Sequence, residues 1–351
     1  QNYESRHGGD GPNMILTLTE LGHAKRTLLG VKLGQEMLEA GFTTVRDLGN
    51  SGQNGAVALR DAIRSGWVTG PRIFAATRAL SPAGGQFDRI APEAQSLIAL
   101  EYAIVDSVED ARRETRQALY DGADWIKVIV DNETQMMPVE ELRVICEEAH
   151  RRGKKVAVHA TSDEAIGISI EAGVDSIEHG YGVSAESLKR MAAKKIALVP
   201  TDHPPTLYIG MYNFRPDDDP EWVRRTTEGV QGFVGSSARR LVAARDAGVR
   251  IVAGSDQYFQ IRNQNRGQSS LGMFRAYAAA GLTPLEIIRA ATLHSAQFLA
   301  GDNAPFGSLE KGKFADIIAV PGDPLADISA LERVAFVMKG GRVIKGTAAC
   351  R

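Results

Sequence analysis

The chain has 351 residues, of which 43% are hydrophobic and 24% are charged, and its formal net charge is −2. This composition is typical of a soluble globular protein, and the length suits one barrel domain with a small satellite. The low net charge provides no broad positive field for nucleic acid or an anionic membrane, and no apolar run approaches the about 20 residues that span a bilayer.

Helix-like and strand-like stretches alternate along most of the chain. Helices are predicted at 22–40, 54–66, 107–122, 138–152, 162–172, 184–195, 235–247, 269–280 and 284–300. Strands, marked by apolar and β-branched residues, are predicted at 42–48, 72–76, 125–130, 156–159, 176–179, 196–200 and 250–254. A turn-rich loop is expected at 81–88 and an irregular segment at 201–222. The alternation predicts a parallel (β/α) barrel.

The predicted barrel strands number seven, whereas a closed barrel of this type has eight. Because the chain begins just before a helix and without Met, we expect the first strand to lie upstream of Gln1. Short strands at 315–320, 334–338 and 342–344, with a hairpin turn at 339–342, predict a small β module at the end. The expected fold is an α/β, (β/α)8 TIM-like barrel lacking strand one over 1–303, with a small β-sandwich portion over 304–351.

The first seven residues are polar and do not form a signal peptide. We therefore expect a soluble protein whose compartment, cytoplasmic or periplasmic/secreted, depends on an upstream segment. Its two cysteines, Cys146 and Cys350, provide neither a disulfide framework nor a zinc cluster.

Four polar residues lie at or just past the ends of separate strand-like runs. They are Lys127, His159, His179 and Asp256. The carboxyl ends of parallel barrel strands open onto one face, so residues far apart in sequence converge there. An unpaired Lys on the inner side of an apolar strand would be costly to bury. One Lys, two His and one Asp at such positions suggest a divalent-metal hydrolase.

Four motifs connect this pattern to a known family. They are GFTTVRDLG at 41–49, SPAGG at 81–85, ATLHSA at 291–296 and GSLEKGKFAD at 307–316. In this order, with the metal-type residues between them, they resemble the metal-dependent amidohydrolase superfamily, in its imidazolonepropionase-like and Xaa-Pro dipeptidase branch. The resemblance runs nearly end to end.

The resemblance implies two divalent metal ions, usually zinc, at the top of the barrel. It makes Lys127 a carboxylated lysine that bridges both ions, His159 and His179 ligands of one ion, and Asp256 a ligand of the other. A free ammonium would repel metal ions, whereas the carbamate formed with CO2 is an anionic bidentate bridge. Two ions lower the pKa of a bound water, and the metal-bridging hydroxide attacks the amide carbonyl. Asp256 carries the proton to the leaving amine.

Several further expectations follow from the resemblance. His203 is expected to polarise the scissile carbonyl, and Gln86, Tyr181 and Tyr208 to contact substrate with it. Relatives cleave Xaa-Pro, other C-terminal residues or amide-linked mycotoxins such as ochratoxin A. A small-molecule or dipeptide substrate and a homo-oligomer are therefore expected. The family's first strand carries a His-x-His pair that this chain lacks, and we expect that pair upstream.

Two alternatives stay open. One is a cyclic amide hydrolase like imidazolonepropionase, whose members bind one metal ion without a bridging lysine, so Lys127 argues against it. The other is a truncated, non-catalytic barrel that serves in assembly, an idea motivated by the missing strand.

Overall fold

The computed structural model describes residues 18–49, 52–87, 89–212, 214–258 and 261–346. Its strands are β1 (Thr44–Asp47), β2 (Arg72–Ala75), β3 (Ala79–Ser81), β4 (Tyr102–Ile104), β5 (Trp125–Ile129), β6 (Lys155–Ala160), β7 (Ser176–His179), β8 (Ala197–Val199), β9 (Ile317–Ala319), β10 (Phe336–Lys339) and β11 (Arg342–Lys345).

The helices cover the outside of the sheet. They are α1 (His23–Glu39), α2 (Gly55–Arg64), α3 (Val108–Tyr120), α4 (Val139–His150), α5 (Asp163–Ala172), α6 (Ala185–Lys194), α7 (Pro205–Met211), α8 (Pro220–Asp246), α9 (Arg266–Ala279), α10 (Pro284–Ala291) and α11 (Leu293–Ala300), with 3-10 helices at Pro92–Leu100 and Ile328–Glu332.

Parallel strands form the centre of the molecule. One sheet has the order β4-β3-β5-β6-β7-β8, and β1 pairs with β2. The two sheets meet where Asp124 N donates a hydrogen bond to the carbonyl of Ala75 at 2.7 Å. Beyond β8, Leu198 bridges to Ile251 in parallel. This is the predicted (β/α) barrel, with a three-stranded antiparallel sheet, β9 to β11, at the end of the chain. The domain boundary at 303/304 stays a prediction.

Local sequence explains why these elements form. All five residues of β5 are buried, as expected for a parallel strand covered on both faces. Ser107, Ser162 and Ser184 each accept a hydrogen bond from the backbone three residues on, so they cap the starts of α3, α5 and α6. The apolar faces of these helices pack on the sheet in one large core.

Aromatic and small apolar residues fill the barrel interior. Trp125, Ala157, Val199 and Phe298 form this inner core. The guanidinium carbon of Arg46 lies 4.7 Å from the Trp125 ring centroid. Since this filling occupies the interior, substrate access is confined to the carboxyl ends of the strands.

Several element predictions were wrong. Strands β3 and β4 and the 3-10 helix between them were not predicted, because each strand has only three residues. Residues 201–222 are not irregular throughout: α7 lies within them, and α8 begins at Pro220 rather than at 235. Gly229 and Gly232 weaken the helical pattern there. The expected strand 250–254 is only a bridge at Ile251, and the helix at 284–300 divides at Thr292.

No helix among the described residues is both long enough and apolar enough to cross a membrane.

Candidate active site

The four residues predicted to bind metal ions meet at one end of the barrel. Lys127 lies within β5, His159 within β6, His179 ends β7, and Asp256 follows the bridge at Ile251. The ring centroids of His159 and His179 are 4.5 Å apart. The charge of Lys127 acts on the pKa of both imidazoles and of Asp256, so all four groups are electrostatic neighbours.

Lys127 is a buried amine with no hydrogen bond or ion pair to any residue that the structure describes. Burial lowers its pKa to about 8, although the carboxylates of Glu178 and Asp256 favour its charged form. A buried cation without a hydrogen-bonding partner is costly. Chemistry that converts this amine into a neutral or anionic group would therefore be favourable here.

The hydrogen-bond network of His179 determines its tautomer. The Thr201 hydroxyl donates to the Pro200 carbonyl at 2.7 Å. Its oxygen can therefore only accept from the Nδ1 of His179, 2.8 Å away, and from the Tyr181 hydroxyl at 3.3 Å. His179 thus carries its proton on Nδ1, and its Nε2 lone pair is available to a metal ion.

His159 has a comparable partner on Nδ1. The side-chain amide of Gln86 lies 3.2 Å from this nitrogen, and the Tyr102 hydroxyl donates to the other end of the amide at 3.3 Å. Asn132 holds the glycine loop in place by donating to the carbonyls of Ala83 and Gly85. Because the Tyr102 hydroxyl can donate or accept, the Gln86 amide can offer Nδ1 either its carbonyl or its NH2. When the Gln86 carbonyl faces His159, it accepts the proton of Nδ1, and the Nε2 of His159 is unprotonated.

Three residues at the strand ends have left-handed backbone conformations. The φ angles are 70° for His179, 57° for Thr201 and 44° for Asp256. Non-glycine residues adopt such angles at a cost and only where surrounding contacts impose them, often in active sites. The strained positions belong to consecutive strand ends, which marks this face as the candidate site.

Asp256 is open to solvent at the barrel mouth but is surrounded by protein on its other sides. Desolvation is the largest influence on this carboxyl and raises its pKa to about 6, while Lys127 opposes the rise. Because water reaches the side chain, solvent screens part of this shift. An accessible carboxyl with a raised pKa can exchange protons near neutral pH.

His203 is buried beside the site. Its Nε2 donates to the Ser255 carbonyl at 2.5 Å, and its Nδ1 is buried without a hydrogen-bond partner. Burial lowers its pKa to about 4, so the ring is neutral at pH 7. A neutral His203 therefore presents an acceptor at Nδ1. The predicted role at a scissile carbonyl needs a donor, which Nδ1 becomes only when the ring is protonated.

The predicted substrate residues Tyr181 and Tyr208 belong to an aromatic wall that also contains Phe233. The ring of Phe233 lies 4.9 Å from that of Tyr181 and 5.4 Å from that of Tyr208. The Tyr208 hydroxyl donates to the Thr201 carbonyl at 3.3 Å. Phe233 was missed by the sequence analysis, because the predicted helix began after it.

Buried charged residues behind the site were also missed. Arg46 pairs with both carboxylate oxygens of Glu178 at 2.9 Å. Arg240 pairs with Asp202, and Asp131 accepts five hydrogen bonds from the backbone and hydroxyls of 161–162. In the sequence these residues look like surface charges, because their partners lie in distant segments.

A metal ion needs several donor side chains around one point. Among the described residues, no group of three or more His, Cys, Asp or Glu side chains is close enough together to hold an ion. Lysine is not a ligand in its ammonium form, so Lys127 does not count in such a group. As a carbamate it would add anionic oxygens beside the two imidazoles, and carboxylate-type oxygens with imidazole nitrogens are donors that suit zinc.

Known proteins are similar to this chain over most of its length. The profile described as "Amidohydrolase family" matches residues 30–344. Ochratoxinase from Aspergillus niger is 31% identical over 339 residues, which cover 89% of this chain and 67% of the relative.

Solved structures are also similar over nearly the whole chain. A Xaa-Pro dipeptidase with methionine bound in its active site aligns with a TM-score of 0.79 at 30% identity, covering 99% of this chain and 84% of that one. The structure of A. niger ochratoxinase aligns with a TM-score of 0.80 at 27% identity, covering 99% of this chain and 81% of that one.

Proposed function

Since the chain belongs to the amidohydrolase family, we propose that it is a zinc-dependent hydrolase that cleaves the amide bond of a dipeptide or N-acyl amino acid. The names of its relatives, Xaa-Pro dipeptidase and ochratoxinase, support this substrate class. The observation that carries the proposal is the convergence of Lys127, His159, His179 and Asp256 at one end of the barrel, with both imidazoles partnered at Nδ1.

Lys127, once carboxylated by CO2, would hold two metal ions together with His159, His179 and Asp256. Carbamate formation needs a neutral amine, and a pKa of about 8 leaves a substantial neutral fraction near neutral pH. Carboxylation also removes an unpaired buried cation. When bound, divalent ions lower the pKa of a coordinated water towards neutrality and polarise the substrate carbonyl.

Asp256 is the proposed proton carrier. It accepts the proton of the water that attacks the amide carbonyl carbon. It then donates that proton to the leaving amine nitrogen as the C–N bond breaks. A carboxylate can take up a proton and release it again, and Asp256 lies at the solvent-accessible end of the barrel, where substrate would bind.

The remaining predicted residues are proposed to bind substrate. The aromatic wall that contains Tyr181 and Tyr208 would pack on its apolar part. The Nδ1 of His203 is buried, so it would accept a hydrogen bond from a substrate N–H only after neighbouring side chains move, and it would polarise the scissile carbonyl only if protonated. Gln86 contacts His159, and its exposed amide can also reach bound substrate.

The test is hydrolysis of Xaa-Pro dipeptides, other dipeptides and N-acyl amino acids, with zinc and bicarbonate present. Removing a group that only hydrogen-bonds to a metal ligand lowers activity by up to about 100-fold. Lys127→Met removes a ligand itself and should therefore lower kcat/KM by more than about 100-fold. Lys155→Met is the matched control, because Lys155 is a partly buried lysine at the opposite end of neighbouring β6, beside Phe298.

Turnover of no linear amide by the wild-type chain would overturn the proposal. Turnover of cyclic amides alone would favour the ring-opening alternative. Equal activity of Lys127→Met and wild type would remove the bridging lysine from the account.

A further inference from the structure

A buried arginine from α8 connects two of the strand ends that form the site. Arg240 donates to both carboxylate oxygens of Asp202, at 2.5 and 2.6 Å. It also donates to the backbone carbonyls of His179 and of Pro200, the latter at 3.3 Å. Both side chains of the ion pair are almost fully buried, with 4% and 7% exposure. One guanidinium therefore links the carboxyl ends of β7 and β8.

The contact with Pro200 leads directly to the His179 ring. The Pro200 carbonyl that Arg240 binds also accepts the Thr201 hydroxyl. Because that hydroxyl proton is committed to Pro200, the Thr201 oxygen must accept the Nδ1 proton of His179. The Pro200 carbonyl can only accept, so the Thr201 hydroxyl is the donor of that bond, and Arg240 acts by holding this carbonyl in position.

Arg240 also contacts the strained backbone itself. His179 and Thr201 have positive φ angles, and Arg240 binds the carbonyl of His179 and the carbonyl just before Thr201. A planar guanidinium presents several donors in a fixed fork, so it can bind two carbonyls and a carboxylate together. A lysine ammonium at this position would keep the charge and lose the fork.

We propose that Arg240, held by Asp202, is a positioning residue that fixes the tautomer and orientation of His179 through Pro200 and Thr201. The effect on the tautomer needs no metal ion. The consequence for metal affinity rests on the proposed function, in which His179 is a ligand.

The first measurement is the tautomer of His179 in metal-free protein. Long-range 1H–15N spectra of histidine side chains, recorded at about pH 8 where a free imidazole is neutral, distinguish Nδ1–H from Nε2–H. A His179→Gln variant assigns the signal. The wild type should show Nδ1–H alone, whereas Arg240→Lys and Thr201→Val should each show a mixture or Nε2–H. Thr201→Val breaks the same chain of hydrogen bonds while leaving Arg240 in place.

The matched control is a similar arginine at the other end of the barrel. Arg60 donates to the Gly122 carbonyl at 2.7 Å and to Asp124 at 2.6 Å, below β5. Arg60→Lys removes a comparable fork and should leave the His179 tautomer unchanged. An unchanged Nδ1–H signal in Arg240→Lys would overturn the role of Arg240, even if Thr201→Val changes the signal. An equal change in Arg60→Lys would overturn the proposal as well.

The second measurement is zinc affinity by competition with a chelating dye. Arg240→Lys should bind zinc about 10- to 100-fold more weakly, as when partners of metal ligands are removed. Arg60→Lys should bind like the wild type. If the tautomer changes while zinc affinity does not, the positioning role stands and the assignment of His179 as a ligand fails.

Discussion

Any side chain at Gly85 is expected to clash with the Tyr102 ring and to destabilise the fold. A Cβ at Gly85 would lie 2.3, 2.6 and 2.7 Å from three atoms of the Tyr102 ring, and that ring is fully buried. Overpacking of this kind costs about 1–3 kcal/mol. The φ of +62° adds the strain of a left-handed alanine, about 1–2 kcal/mol. Gly85→Ala should therefore lower the free energy of unfolding by about 2–5 kcal/mol.

A double-mutant cycle isolates the clash from the backbone strain. Unfolding in urea, followed by circular dichroism, gives the stability of Gly85→Ala, Tyr102→Ala and the double variant. The coupling energy should be about 1–3 kcal/mol, because removing the ring removes the clash. Gly84 is the control: its φ is also positive, yet a Cβ there meets nothing within 4 Å. The effects of Gly84→Ala and Tyr102→Ala on the free energy of unfolding should add without coupling. A coupling energy near zero between Gly85→Ala and Tyr102→Ala would show that no clash occurs.

Three further predictions concern stability and reactivity. Arg46→Met leaves the buried Glu178 carboxylate without its bidentate partner and should cost about 3–5 kcal/mol in urea unfolding, with much of the loss recovered by Arg46→Met/Glu178→Leu. Equal stability of these two variants would contradict this. The hydrogen bond to Asp175 raises the pKa of His150. The His150–Asp175 contact therefore contributes fully to the free energy of unfolding below about pH 6.5, and this contribution is lost as pH rises through the folded-state pKa. His150→Gln should therefore lower Tm more at about pH 5.5 than at pH 8.5, and the reverse order would refute it. Burial raises the pKa of the Cys146 thiol to about 12, so little of the reactive thiolate forms in the folded protein. Titration with a thiol reagent should therefore detect one fewer reactive cysteine in native than in urea-unfolded protein.

The sequence predicted the barrel well because each βα unit has its own local signals. The bounds of the elements from β5 to α6 were predicted to within about two residues, because serines cap the helix starts, glycines end the helices and buried apolar runs mark the strands. His159 and His179 were also correctly placed at strand ends. Adjacent parallel strands must bring their carboxyl ends together, so the proximity of the two rings followed from topology.

Features that depend on distant partners could not be predicted. Nothing near Arg240 in sequence indicates that it binds Asp202 rather than solvent. Thr201 was seen only as the start of a loop, although its hydroxyl determines the His179 tautomer. The start of α8 was missed because Gly229 and Gly232 interrupt its helical pattern, although Asp219 caps its first turn and Pro220 begins it.

If a carbamate on Lys127 completes the metal site, the amount of zinc that the protein retains should depend on CO2. Zinc per chain would be measured by elemental analysis after dialysis in bicarbonate and in CO2-depleted buffer. The wild type and Lys155→Met should retain zinc in bicarbonate and lose most of it without CO2, whereas Lys127→Met should retain little in either buffer. Equal zinc in Lys127→Met and wild type would show that Lys127 is not part of the metal site.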